Sequence, residues 1–370
     1  MRGIASQLLT VSLLALLVGL ISLLTVSGAS ATERLKGIKG ADDRILVDST
    51  EYPWRAIARF NHQGSFCTAT LIGPALALTA AHCLFDSPEK GWKKPENIHL
   101  LFGYQRGSWI AEGRVKDYTV PRDYVPRALA EVRDYRSAPD WAVLVLVEPV
   151  GEATGWMGVA PLTNDDLSAI RKSGQALVQA GYSKDKSHIL TVNVPCPLNR
   201  IDSQRQTIRH TCDAVPGDSG SPIFTYTKDG FRVAAIHVAT ATTNTGTWGI
   251  AVPTLNYLDA VMAHKPPLPR PPSVDAPPGE ATARQLLERM GEPFSDLSLA
   301  IRRFEAKQGL TQTGKASPDL LGHLLNAQQW VAPKKALPSY SDLQKLLDST
   351  RVGRAGHFEG QKEEAPAGGN

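Results

Sequence analysis

Between Arg55 and Val252 the apolar residues fall in short runs separated by turn signals. The runs are Arg55–Phe60, Thr68–Ile72, Ala75–Thr79, Ile98–Phe102, Trp141–Val147, Ala176–Ala180, Pro222–Tyr226, Val233–Val238 and Trp248–Val252. Many short strands with few helical windows between them predict an all-β sandwich or barrel, and the pattern alone does not separate the two. Leu255, Leu258, Val261 and Met262 then recur at helical spacing and predict a short helix closing this region.

The chain is too long for one compact domain, with 370 residues and 42% hydrophobic content. Its clearest boundary begins at Pro266-Pro267-Leu268-Pro269-Arg270-Pro271-Pro272 and runs to Pro278. Such a stretch enters neither helix nor central sheet and serves as a semi-rigid spacer. At the other end Arg2 precedes an uncharged apolar run, Leu8 to Val26, and Ala29-Ser30-Ala31 forms an A-x-A cleavage site before Thr32. The chain therefore divides into an export signal (1–31), a propeptide or N-terminal segment (32–44), a β domain (45–264), a linker (265–280), a helical domain (281–331) and a polar, partly disordered tail (332–370). Export follows whether or not the signal is cleaved, and a membrane partner is expected only if it is retained. The net charge of +4 is spread along the sequence without a dense Lys/Arg block, which sets nucleic acid aside.

Four cysteines suit an exported protein and allow three pairings. The two local ones, Cys67–Cys83 and Cys196–Cys212, are expected. Each closes a loop of about 15 residues, worth roughly 3 kcal/mol in the chain-entropy model. No paired CxxC or HxxxH spacing supports the rival, a zinc site.

Two segments carry chemistry. Thr79-Ala80-Ala81-His82-Cys83 puts a histidine at the end of an apolar strand, and Pro216-Gly217-Asp218-Ser219-Gly220-Ser221-Pro222 puts a serine in a glycine-flanked turn. Amide hydrolysis by serine needs a base to take its proton and donors for the oxyanion. An acid to orient the histidine is available at Asp140, at the mouth of the strand Trp141-Ala142-Val143-Leu144; Asp134 is its rival but has no strand directly after it. The order His, Asp, Ser and the surrounding words resemble the trypsin-like (chymotrypsin-fold) serine proteases. The resemblance implies an all-β double six-stranded antiparallel barrel, with the predicted short helix at its C-terminal end; a small separate α-helical domain is expected beyond the linker. It implies Ser219 as nucleophile, His82 as general base and acid, Asp140 as its orienting acid, and the amides of Gly217 and Ser219 as oxyanion hole. Cys67–Cys83 matches that family's histidine-loop disulfide. No metal or organic cofactor is needed, and the substrate is a polypeptide. His62, His99, His188, His210, His264, His323 and His357 lie in no comparable motif and are read as surface or structural residues.

Asp218, beside the nucleophile, is expected to be buried and to need a cation. Cleavage at Arg44 would release Ile45-Leu46-Val47 as a new terminus for it. Alternatively Asp42-Asp43-Arg44 and Tyr52-Pro53-Trp54-Arg55-Ala56-Ile57 resemble the start of mature bacterial glutamyl endopeptidases, which places the terminus near Gly37 or Ile38. Substrate preference divides in the same way. Asp213, six residues before Ser219, sits where trypsin holds Lys or Arg, although Val215 replaces trypsin's cysteine there. His237, in Ala235-Ile236-His237-Val238-Ala239, resembles the glutamyl endopeptidase histidine that binds the substrate carboxylate, with Gly249 on the following pocket wall. The expected preference is for Glu before the cleaved bond.

Beyond the linker, Thr282 with Gln285 reads as a capping box ahead of an apolar face at Ala283, Leu286, Leu287 and Met290. Leu297, Ala300, Ile301 and Phe304 form a second face, and Ser317-Pro318 starts a third at Leu320, Leu321, Leu324 and Leu325. Ala300 to Leu310 and Thr313-Gly314-Lys315 resemble three-helix peptidoglycan-binding domains, so peptidoglycan is an expected partner through residues 281–331. Two other functions stay open. One is a catalytically inactive protease-fold module that binds cell wall or protein. The other is an enzyme that cuts peptidoglycan itself.

Overall fold

The structure, a computed structural model, describes residues 37–39, 42–62, 64–126, 139–204, 206–243, 246–273, 276–292 and 295–328. The export signal, Asp134 and the polar tail lie outside the described residues. Among the described residues no helix is long and apolar enough to cross a membrane.

Strand β1 (Ile45–Leu46) precedes the first barrel, which is built from β2 (Ile57–His62), β3 (Ser65–Gly73) and β4 (Leu76–Thr79), followed after a small hairpin of β5 (Phe85–Ser87) and β6 (Gly91–Trp92) by β7 (His99–Phe102), β8 (Ala111–Thr119) and β9 (Ala142–Leu146). The antiparallel order β2-β3-β4-β9-β8-β7 closes on itself. β4 is buried throughout, whereas β8 alternates, with Glu112, Arg114 and Lys116 in water and Gly113 and Val115 inside. That alternation runs through polar residues, and it explains why sequence reading overlooked β8.

The second half holds α1 (Gly151–Thr154), β10 (Gly158–Val159), α2 (Asn164–Ser173), β11 (Val178–Gly181), β12 (Thr191–Asn193), β13 (Leu198–Asp202), β14 (Thr207–His210), β15 (Pro222–Thr227), β16 (Gly230–Thr243), β17 (Gly246–Pro253) and α3 (Leu258–Met262). Its strands run β1-β12-β11-β15-β16-β17-β14-β13, with β10 on β16. Among the described residues the strands of this second barrel form a nine-stranded sheet. β12 and β13 are consecutive in the chain but stand near opposite ends of the sheet. Between them lies Val194-Pro195-Cys196-Pro197, which bridges those ends: Cys196 N donates to Leu177 O at 2.7 Å and Thr211 N donates to Pro197 O at 3.2 Å, while the two prolines, with no N–H to donate, shorten the regular strands on either side.

Three helices follow: α4 (Glu280–Arg289), α5 (Leu297–Lys307) and α6 (Pro318–Asn326). Their apolar residues join one buried cluster with Trp54, Phe224 and Phe231 of the β domain. A separate bundle on a spacer was expected; the helices instead dock on the β domain. The proline segment itself is bound, with Trp156 and Arg270 exchanging backbone hydrogen bonds of 2.9 and 3.2 Å and Trp156 Nε1 donating to Leu268 O at 2.8 Å. The capping-box expectation also changes. α4 starts at Glu280 behind Gly279 (φ +89°), so Thr282 and Gln285 lie inside the helix.

Candidate active site

β4 leaves the barrel at Thr79, and the next turn, Ala81–Leu84, carries His82. Asp140, just ahead of β9, reaches that turn because β9 pairs with β4, Ala142 opposite Thr79. Its carboxylate accepts two hydrogen bonds, from the His82 backbone N–H at 2.9 Å and from Nδ1 at 2.6 Å. With Nδ1–H so committed, the imidazole presents Nε2 as the free basic nitrogen. Burial pulls the His82 pKa down. The charge and hydrogen bond of Asp140 outweigh this and a smaller push from Lys93, leaving it above the usual histidine value.

The serine turn packs against the same strand end. Thr68 N donates to Ser219 O at 2.8 Å, and Cys83 Sγ lies 3.9 Å from that oxygen. Gly220 (φ +83°) has no room for a side chain, since a Cβ would fall 2.2 Å from Thr68 O and 2.3 Å from Thr79 Oγ1. Ser219 is partly exposed at this junction. Gly217 (φ +100°) is equally constrained by Phe66 and Tyr182 O, and its carbonyl accepts from Thr68 Oγ1 at 3.0 Å. The amides of Gly217 and Ser219 have no hydrogen-bond acceptor among the described residues. Both disulfides form as expected, with Cα–Cα separations of 6.3 Å for Cys67–Cys83 and 5.0 Å for Cys196–Cys212. His82 and His210 each lie beside one of these pairs, but oxidised sulfurs are not thiolate metal ligands.

Asp218 is buried. Its Oδ2 accepts from Val215 N at 2.9 Å and Ser183 Oγ at 2.8 Å, while Oδ1 has no partner. Burial raises its pKa to about 6. Arg44 is held away in ion pairs with Asp42 (2.8 Å) and Asp185 (2.6 Å), and Ile45 is paired into the sheet opposite Val192.

Of the residues expected to bind substrate, His237 and Gly249 each meet His210, and Asp213 is bonded to Lys39 and Asn193. His237 Nδ1 shares a 2.8 Å hydrogen bond with Nε2 of His210, and both rings are buried. His210 had been read with the motif-free histidines. The one signal for it is Gly249, its cross-strand neighbour, where a Cβ would fall 2.0 Å from the His210 ring. Asp213 Oδ1 accepts from Lys39 N at 2.6 Å, and its backbone is tied on both sides to Asn193.

A closed six-stranded barrel that delivers a histidine against a glycine-bounded serine turn is the plan of the trypsin-like, chymotrypsin-fold serine proteases. The chain belongs to that family, and residues 47–261 match the family model described as Trypsin. It is 27% identical over 199 residues to the glutamyl endopeptidase of Bacillus licheniformis (54% of this chain, 58% of that one). It is 26% identical over 208 residues to a Bacillus subtilis protein named extracellular metalloprotease (54% and 61%). A solved structure described as Glu endopeptidase in complex with MPD aligns over 62% of this chain and 99% of its own, with a TM-score of 0.48 and 21% identity. The matches span 58% and 61% of the length of these two curated relatives.

Proposed function

We propose that this protein is an exported serine endopeptidase that cleaves peptide bonds through an acyl-enzyme and prefers Glu before the cleaved bond. The observation that carries the catalytic reading is the double grip of Asp140 on the His82 turn, which engages Nδ1 and leaves Nε2 for the proton transfer. In this reading Ser219 Oγ attacks the scissile carbonyl while His82 takes its proton, and the imidazolium that forms is stabilised by Asp140. The Gly217 and Ser219 amides receive the oxyanion. His82 returns the proton to the leaving amine, and water, activated in turn by His82, releases the acid product. The Glu preference is supported by His237 in the strand beside the serine turn and by the likeness to a glutamyl endopeptidase. Export is supported by the leader-like N-terminus and the two disulfides.

A fluorophosphonate probe tests the chemistry. The wild-type protein should label covalently, and Ser219→Ala should abolish labelling and reduce peptide hydrolysis by about 10⁴-fold or more. Equal labelling of the two proteins would remove Ser219 from the mechanism.

A further inference from the structure

The pair His210–His237 raises a question of charge. A pocket that prefers Glu over the isosteric Gln is served best by a cation, because only the carboxylate carries a charge for it to attract and neutralise on burial. The two imidazoles are poor candidates. Burial, then the positive charges of Lys39 and His82, pushes His237 down to about 3. Burial, His237 and Lys39 likewise press His210 well below the usual value. Their surroundings thus favour the neutral form of both rings.

Lys39 offers what the histidines lack. Gly37–Lys39 lies directly on the chain leading into the serine turn. Ala214 N donates to Gly37 O at 3.2 Å, and a Cβ on Gly37 would fall 2.1 Å from Ala214 O. The backbone of Lys39 is pinned to Asp213. Its ammonium donates to Gly37 O at 3.0 Å and to Cys212 O, the residue after which Asp213 turns toward Ser219. Among the described residues it forms no ion pair, so one of its three N–H groups remains for a ligand. Thr240 Oγ1 holds Ala214 O at 2.8 Å, tying the same segment to β16, the strand of His237.

We propose that the Lys39 ammonium is the fixed positive charge of the substrate side-chain pocket and determines the preference for an acidic residue before the scissile bond. This rests on the Glu-preference reading above and identifies the group that carries it. His237 and His210 then shape the pocket and supply neutral hydrogen bonding, and Asp213 anchors the lysine instead of binding a basic substrate. Burial lowers Lys39 to about 8, partly offset by Asp213 and Asp218 and reinforced by Arg44. It is mostly charged at neutral pH, and a bound carboxylate holds it so.

The test compares kcat/KM on two peptides that differ only in Glu or Gln before the cleaved bond, using the full-length protein as wild type, Lys39→Met and Lys39→Arg. Fluorophosphonate labelling of each variant checks that the serine turn is intact. The expected result is a Glu/Gln ratio that falls at least about tenfold in Lys39→Met and is largely retained in Lys39→Arg. A wild-type ratio near one overturns the Glu-preference reading itself. A high wild-type ratio that Lys39→Met leaves unchanged overturns the role of Lys39 alone. The wild-type ratio against pH is a second readout that needs no variant. Around Lys39 stand Asp213, Asp218, Arg44, His210 and His237. With Lys39 as the cation the ratio holds from pH 6 to 7 and declines as pH rises through about 8. A ratio that is high only at low pH and already gone once pH has risen past about 6.5 would assign the charge to a histidine and overturn the proposal.

Discussion

Asp218 is the least comfortable side chain near the serine turn. One carboxylate oxygen is buried without a partner, and burial lifts its pKa from 3.8 to about 6. A carboxyl raised on folding favours the native state while it is protonated. That contribution is fully present below about pH 4 and lost as pH rises through about 6. Asp218→Asn, which keeps the shape and removes the charge, should therefore raise stability by about 2 kcal/mol at pH 7.5 and by little at pH 4. Urea midpoints at the two pH values, measured in a Ser219→Ala background to prevent self-digestion, check this; no gain at pH 7.5 would mean that a cation already reaches Oδ1. Asp218, His82, Asp140 and Ser219 were legible as candidates because each sits in a recognisable local word. The sequence did not disclose His210 or Lys39. Their surroundings are set by what lies across a strand pair or 174 residues away, as with Lys39 and Asp213, and no local spacing records that.

At the scale of elements, α4 shows how the same residues serve different ends. Thr282 and Gln285, three apart before an apolar face, carry the signature of a helix start. The structure starts the helix earlier and uses both residues to dock it. Thr282 Oγ1 accepts from Trp54 Nε1 at 3.0 Å and donates to Glu51, whose other oxygen receives Ala281 N at 3.1 Å. Gln285 Nε2 donates to Leu46 O at 2.8 Å. Glu51 thus sits as an anion at a helix N-terminus, a favourable place for charge, although burial still raises its pKa. Thr282→Val keeps the shape but leaves the buried Trp54 N–H without an acceptor and one of the two Glu51 oxygens without its donor. It should cost about 1–3 kcal/mol, read as a lower urea midpoint with an unchanged slope. A cost near zero would show that α4 contributes little to the fold. The strands were easier to foresee. Apolar runs such as Leu76–Thr79 are buried on both faces, so composition alone marks them, whereas β12 and β13 are cut short by prolines and β14 carries Arg209 and His210.

At the scale of the molecule, the proline segment was visible as a boundary but not as a bound strap, because a spacer and a strap have the same composition. What distinguishes them is the surface that receives them. Pro269 packs on Gly158 and Gly230, where a Cβ would fall 3.0 and 3.4 Å from its ring, and the strap leads the chain into α4–α6, the last of which lies against β15. There Gly322 lies flat on Tyr226 of β15, with a Cβ position 2.2 Å from the ring, and Tyr226 Oη donates to Asp319 at 2.7 Å. Asn326 closes the junction through Nδ2 to Tyr226 O at 2.8 Å and its own carbonyl to Ala176 N at 3.3 Å. Ending the chain after Ala276 would uncover this face together with Trp54, strip Leu286, Leu321 and Leu324 from a shared core, and leave the donors of Trp54 and Ala176 to find water. Burial of a single such leucine is worth about 2 kcal/mol, and whole domains are stable by only about 5–15 kcal/mol. The truncated protein, again with Ser219→Ala, should melt at least about 10 °C lower than the full chain or fail to accumulate in soluble form. A truncated protein that melts like the full chain would return the helices to the status of a tethered, separable domain.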